Sequence, residues 1–113
     1  MKTTTRKGTV FLKVDGDLTV SRAGEFKEAL LGSINKAKTV EVNLDDVAVI
    51  DLASLQLLCS AHRTADKQGK KLSVKEPAPQ PYLEARRKAG FMYSKECRFV
   101  STEDCLWLGG DKQ

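Results

Sequence analysis

The chain is expected to fold as one α/β domain, a mixed β-sheet covered by α-helices. The expected order is β-β-α-β-α-β-α, with a candidate terminal strand. Three observations lead there. A length of 113 residues holds one hydrophobic core but not two. A content of 41% hydrophobic and 30% charged residues is that of a soluble globular domain, not a disordered tail. Segments with a two-residue apolar period alternate with segments of helical period, at the spacing of βαβ units. The domain is taken as 1–113, with its core over about 8–101 and a tail at 102–113.

The elements follow in order. In Gly8 to Val14, the residues Val10, Leu12 and Val14 alternate with Thr9, Phe11 and Lys13, which is strand spacing. Asp15-Gly16-Asp17 is turn chemistry, and Leu18-Thr19-Val20 reads as a short second strand. Ser21 is placed as an N-cap. Ala23, Phe26, Leu30 and Ile34 then recur at three- and four-residue steps, giving an amphipathic helix that ends near 35–38. Thr39 to Leu44 alternates again, as a strand. Asp45-Asp46 turns the chain, and Val47-Ala48-Val49-Ile50 reads as a short buried run.

Asp51 opens the longest helical segment, Leu52 to Gln68. Its inner face is Leu55, Leu58, Cys59, His62 and Ala65, widened by Leu57 and Ala61. Gln56, Ser60, Arg63 and Lys67 lie outside. Gly69 is the expected stop. Lys71 to Lys75 is a strand. A proline-rich loop leads to Pro81, which suits the first position of a helix over Tyr82 to Ala89. Gly90 closes that helix with Phe91 packing behind it, and Cys97 to Ser101 is the candidate last strand.

Several function classes have no support. No apolar stretch approaches the roughly 20 residues of a membrane span, so no membrane insertion is expected. Met1 to Lys7 is polar and lacks the apolar segment of a signal peptide, so the expected location is cytoplasmic. Three cysteines, Cys59, Cys97 and Cys105, with no CxxC spacing argue against a disulfide framework or a zinc site. The sole histidine, His62, has no metal-spaced companions and reads as a packed side chain. Asp45-Asp46 reads as turn chemistry rather than a magnesium site. No phosphate-loop, dinucleotide or nucleophile-elbow pattern is present. No catalytic residue, cofactor or metal is therefore expected. Net charge is +4, with residues 63–90 carrying eight basic and three acidic side chains. That stretch contains no nucleic-acid motif, and its simplest reading is solvated helix ends and loops. Trp107, in the apolar run Cys105 to Leu108, either docks on the domain or forms part of a subunit or partner contact.

The start of the long helix is the most informative site. Asp51 can accept hydrogen bonds from free N–H groups of the first turn, and its charge suits the positive end of the helix dipole. Leu52 follows in the first turn and either tucks into the core or offers an apolar contact. Ser54 either bonds back to Asp51 or presents a hydroxyl for phosphorylation.

These segments resemble a known family. Gly16-Asp17-Leu18-Thr19, then Ala23, then Glu25 to Leu30, is similar to the opening of STAS domains, the anti-sigma-factor-antagonist fold. Val40 to Leu44, followed by Val49-Ile50-Asp51-Leu52-Ala53-Ser54-Leu55-Gln56-Leu57-Leu58, resembles that family's strand, its "hydrophobic–Asp–Ser/Thr–Ser/Ala–Gly/Ala–Leu" motif and its central helix. Arg63 to Gly69, Lys71 to Lys75 and Leu83 to Phe91 fit the later part, so the resemblance covers roughly residues 8–91. It implies a small α/β fold with helices on one side of a mixed sheet and no catalysis by the domain. It also implies a protein partner, an anti-sigma factor and serine kinase or another signalling protein. Phosphorylation at the start of the central helix releases such partners in the family, and a phosphatase resets the switch. The implied partner-binding residues here are Asp17, Thr19, Ser21, Asp51, Leu52, Ala53, Ser54 and Gln56.

This sequence departs from the family at the switch. The positions one and two after the Asp are Leu52 and Ala53, neither with a hydroxyl. Ser54 stands where the family has Gly or Ala and is the one candidate phosphorylation site. The run Asp51 to Leu58 is closer to a "D-T-A-x-L-Q-L-L" subgroup than to the sporulation-type "D-S-S-G-L-G". Members of that subgroup resemble stand-alone proteins of chemotaxis or two-component systems, or accessory subunits of lipid-transporting ABC complexes that dock on an ATPase. A homodimer is a further candidate assembly.

Overall fold

The computed structural model describes residues 1–89. The expected strand Cys97 to Ser101, the packing of Phe91 and the Cys105 to Leu108 run fall outside the described residues. The elements are β1 (Lys2–Arg6), β2 (Thr9–Asp15), a single 3-10 turn (Val20–Arg22), α1 (Ala23–Lys36), β3 (Thr39–Asp46), α2 (Leu52–Lys67), β4 (Lys71–Val74) and α3 (Gln80–Ala89). The sheet order is β1-β2-β3-β4. The β1–β2 pair is antiparallel, and β2–β3 and β3–β4 are parallel. This is the expected mixed sheet and the expected element order, but the strand expected at Gly8 to Val14 is the second of the pair, and its partner is Lys2–Arg6 rather than Leu18 to Val20.

The polar N-terminal segment is itself a strand. Lys7 and Gly8 both have positive φ, 47° and 81°, and form a two-residue turn that sets Arg6 opposite Thr9. Such turns suit the right-handed twist of a hairpin. Three consecutive threonines favour an extended backbone, and Lys2 and Arg6 keep this edge strand charged. The cue is weak in sequence because β1 is exposed along its length and so carries no alternation. Leu18 to Val20, by contrast, is no strand. Leu18 makes one isolated parallel bridge to Ile50, and the chain coils at once into the 3-10 turn.

The core lies on one face of the sheet. Val10, Leu12 and Val14 of β2, Val40, Val42 and Leu44 of β3, and Leu72 of β4 are buried there. Against them pack Phe26, Leu30 and Ile34 of α1, and Leu55, Leu58, Ala61 and Ala65 of α2. Right-handed β–α–β crossovers that move in one direction along the sheet place both helices on the same side. The helix spacing is therefore as expected, with Leu57 and Cys59 half-buried at the margin of the α2 stripe. His62 is buried, and its Nδ1–H donates to the Leu72 carbonyl at 3.1 Å, tying α2 to β4. A carbonyl only accepts, so Nδ1 carries the proton. Arg63 is half-buried rather than outside. In α3, Arg86 is buried and stacks over the Tyr82 ring at 5.6 Å.

Gln68 caps α2, and Gly69 follows with φ +70°, as a helix stop requires. The Lys70 ammonium donates to the Ile34 carbonyl at 2.6 Å and satisfies one free end of α1. The α1 entrance differs from expectation. Arg22 occupies the N-cap position and no side chain caps the helix, while the Ser21 hydroxyl pairs with that of Thr19 at 2.9 Å.

Candidate functional site

Two connections meet at the carboxyl ends of the parallel strands, where open α/β sheets place their binding sites. One runs from β2 to α1 and the other from β3 to α2. Their backbones are joined directly. Leu18 N–H donates to Val49 O at 2.8 Å, and Asp51 N–H donates to Leu18 O at 3.1 Å. Leu18 and Ile50 turn inward and are buried.

Asp51 locks this junction with both carboxylate oxygens. Oδ1 accepts from the Ser54 N–H at 3.0 Å, as an N-cap does. Oδ2 accepts from the Val20 N–H at 2.7 Å, on the other connection. The carboxylate also lies at the positive end of the α2 dipole. One side chain thus caps α2 and holds the neighbouring loop. Asp51→Ala leaves two N–H groups without acceptors and is expected to cost roughly 1–2 kcal/mol of stability. Asp51→Asn keeps one acceptor and should recover part of that loss. Chemical denaturation checks both, and faster hydrogen exchange at the Val20 amide would mark release of the loop.

Arg22 holds the loop from below. Its Nη1 donates to Asp15 O at 2.6 Å and to Asp17 O at 3.0 Å, so the guanidinium fills the Asp15-Gly16-Asp17 turn. Gly16 has φ +74°, and a Cβ there would stand 3.2 Å from Nη1, so both conformation and space call for glycine. On the far side Lys75 bonds Asp45 at 2.7 Å. That hydrogen bond, and then the Asp45 charge, raise the ammonium above its ordinary value.

The surface over this frame is apolar. Leu52 is 51% exposed, Val49 48% and Val20 70%. Leu52 therefore does not tuck into the core. Val49 is exposed although its run was expected to be buried, because inward pointing passes to Val47 and Ile50. Asp17 and Ser21 are exposed at the rim, Thr19, Asp51 and Ala53 are half-buried, and Gln56 is exposed one turn into α2. The structure brings together the two segments expected to form one surface.

Ser54 is the exception. It is 0% exposed, and its Oγ donates to Leu18 O at 3.1 Å, not back to Asp51. In this conformation its hydroxyl is withdrawn from solvent. Val20, Val49 and Arg22 were missed as site residues. Apolar side chains in short runs read as core, and hydropathy alone does not record which of them face outward.

Among the described residues no three His, Cys, Asp or Glu side chains gather as a metal site would need, and no helix is long and apolar enough to cross a membrane.

A family model described as "Mlab, STAS domain" matches residues 1–90. No curated protein matches the chain. Solved structures share its fold. The anti-sigma factor antagonist SpoIIAA in its unphosphorylated form is 15% identical, over 80% of this chain and 81% of that one, with a TM-score of 0.62. An anti-sigma factor antagonist from Mycobacterium paratuberculosis is 14% identical, over 80% and 76%, with a TM-score of 0.63. A sulfate transporter family protein from Wolinella succinogenes is 19% identical, over 91% and 85%, with a TM-score of 0.63.

Proposed function

Because the chain belongs to the STAS domain family, we propose that it is a non-catalytic regulatory protein of the cytoplasm that binds a protein partner through the entrance of α2. The partner is an anti-sigma factor and serine kinase, or a component of a chemotaxis or two-component system. One observation carries the reading. Val20, Val49 and Leu52 are exposed on a frame that Asp51 fastens across two connections. Exposed apolar side chains on a rigid, hydrogen-bonded frame suit a protein contact formed without reorganisation.

The switch hydroxyl of the family has no counterpart at Leu52 or Ala53, and the Ser54 hydroxyl is buried and bonded. The domain accordingly acts as a constitutive binder, held in the partner-binding state. Incubation with the cognate kinase followed by mass spectrometry should find no phosphate on residues 51–60. Stoichiometric phosphate on Ser54 would overturn this.

The particular family model that matches supports a second reading, an accessory subunit of a lipid-transporting ABC complex docking on its ATPase. Affinity capture from native lysate, with Leu52→Glu as the paired control, separates the two. The protein retained by the unaltered chain and lost by the variant should be a kinase or receptor component in the first case and an ATPase subunit in the second.

A further inference from the structure

The chain's charges are sorted along the strand axis. Ion pairs seen among the described residues lie at the carboxyl end of the parallel strands or at the α1 start beside it. They are the N-terminal amine with Asp15 and Glu25, Lys13 with Asp46, Arg22 with Asp15 and Glu25, and Lys75 with Asp45. The opposite end is built from the β1–β2 turn and from the links out of α1 and α2. Strand register aligns Arg6, Thr9, Thr39 and Lys71 in one row there, and Lys71 N–H bonds the Lys38 carbonyl. Arg6, Lys7, Lys36, Lys38, Lys67 and Lys71 are all exposed at this end, and none takes part in an ion pair among the described residues. Asp66 is the sole acidic residue in these segments.

Helix dipoles account for only part of this. Lys36 and Lys67 complement the negative ends of α1 and α2. Arg6, Lys7, Lys38 and Lys71 lie outside the helices. A surface that keeps so many like charges unpaired is suited to a polyanion.

We propose that this basic pole rests on a bilayer surface carrying anionic lipids, without insertion. Charge complementarity selects the occupant. The charges come from separate turns spread over one end of the domain rather than from a groove that would follow a nucleic-acid strand. Five of the six are lysines, hydrated point charges on flexible stems, whereas bidentate phosphate reading favours arginine. The α1 and α2 C-termini point here, so these helices offer no free N–H groups to a phosphate backbone. The segments 6–9, 36–39 and 66–71 that supply these charges contain no aromatic residue for base stacking. A lipid surface needs none of these features, because each basic residue near it adds attraction independently. The apolar site at the opposite end would then face away from the bilayer, open to a partner. The proposal does not depend on who that partner is.

Co-sedimentation of the full chain with vesicles tests it. Vesicles of phosphatidylcholine and phosphatidylglycerol should retain the protein in about 0.1 M salt, where the Debye length is about 10 Å, and vesicles of phosphatidylcholine alone should not. Two double variants remove the same net charge. K36Q/K38Q should lower the partition coefficient roughly 25-fold, about fivefold per lysine. K13Q/K75Q, at the other end, should lower it about twofold or less, since those charges lie farther from the bilayer than a Debye length. Three results would overturn the proposal: no dependence on anionic lipid, equal losses for the two doubles, or tighter binding to duplex DNA or to RNA in the same buffer. Circular dichroism of each variant confirms that the fold is intact.

Discussion

Ser54→Asp is expected to unfold the domain rather than imitate a phosphate. The side chain it replaces is fully buried, with its hydroxyl on the Leu18 carbonyl. An aspartate there would bring a carboxylate against a carbonyl oxygen and beside the Asp51 carboxylate, without solvent. An unpaired buried charge costs on the order of 3–5 kcal/mol, a large part of the stability of a small domain. A fall in Tm of about 15 °C or more should follow, read by differential scanning fluorimetry. Ser54→Ala, which loses a single hydrogen bond, should cost only about 1 kcal/mol and keep partner binding. Lost binding in Ser54→Asp would then report lost structure. A variant that stays folded with an unchanged Tm would show that position 54 opens to solvent, and the constitutive reading would fall with it.

Leu52→Glu is expected to do the reverse, sparing the fold and removing the partner. The side chain already stands half in water at the first turn of α2, and a glutamate there suits the helix dipole. Tm should move by only a few degrees. Central apolar anchors of interfaces contribute about 2 kcal/mol or more each, and a charge in their place adds a desolvation cost. Affinity should fall at least 30-fold in a titration against the captured partner. Equal affinity in the variant would move the interface away from α2. The exposed outer face of the sheet around Phe11 would then be next to test.

The sequence by itself determined the helices, the parallel strands and the cap. Their signals are local: Phe26, Leu30 and Ile34 recur at one helical spacing, Val40, Val42 and Leu44 alternate, and Asp51 precedes a long apolar period. It also determined that Leu52 and Ala53 offer no hydroxyl, a matter of composition alone. The tertiary structure decided the rest. β1 has no apolar face, so its pairing depends on the Lys7-Gly8 turn and on β2 beside it. Leu18 reads as strand, yet its one bridge goes to Ile50, over 30 residues away in the chain. Whether Val20, Val49, Leu52 and Ser54 face outward or inward depends on which neighbour each one meets, and hydropathy does not record that. The basic stretch at 63–90 is likewise no surface in its own right. Arg86 is buried and Lys75 is paired, while Lys67 and Lys71 join Arg6, Lys7, Lys36 and Lys38 from distant segments. Charge adds up over a surface in space, and the sheet register together with the ends of α1 and α2 brings those residues to one end.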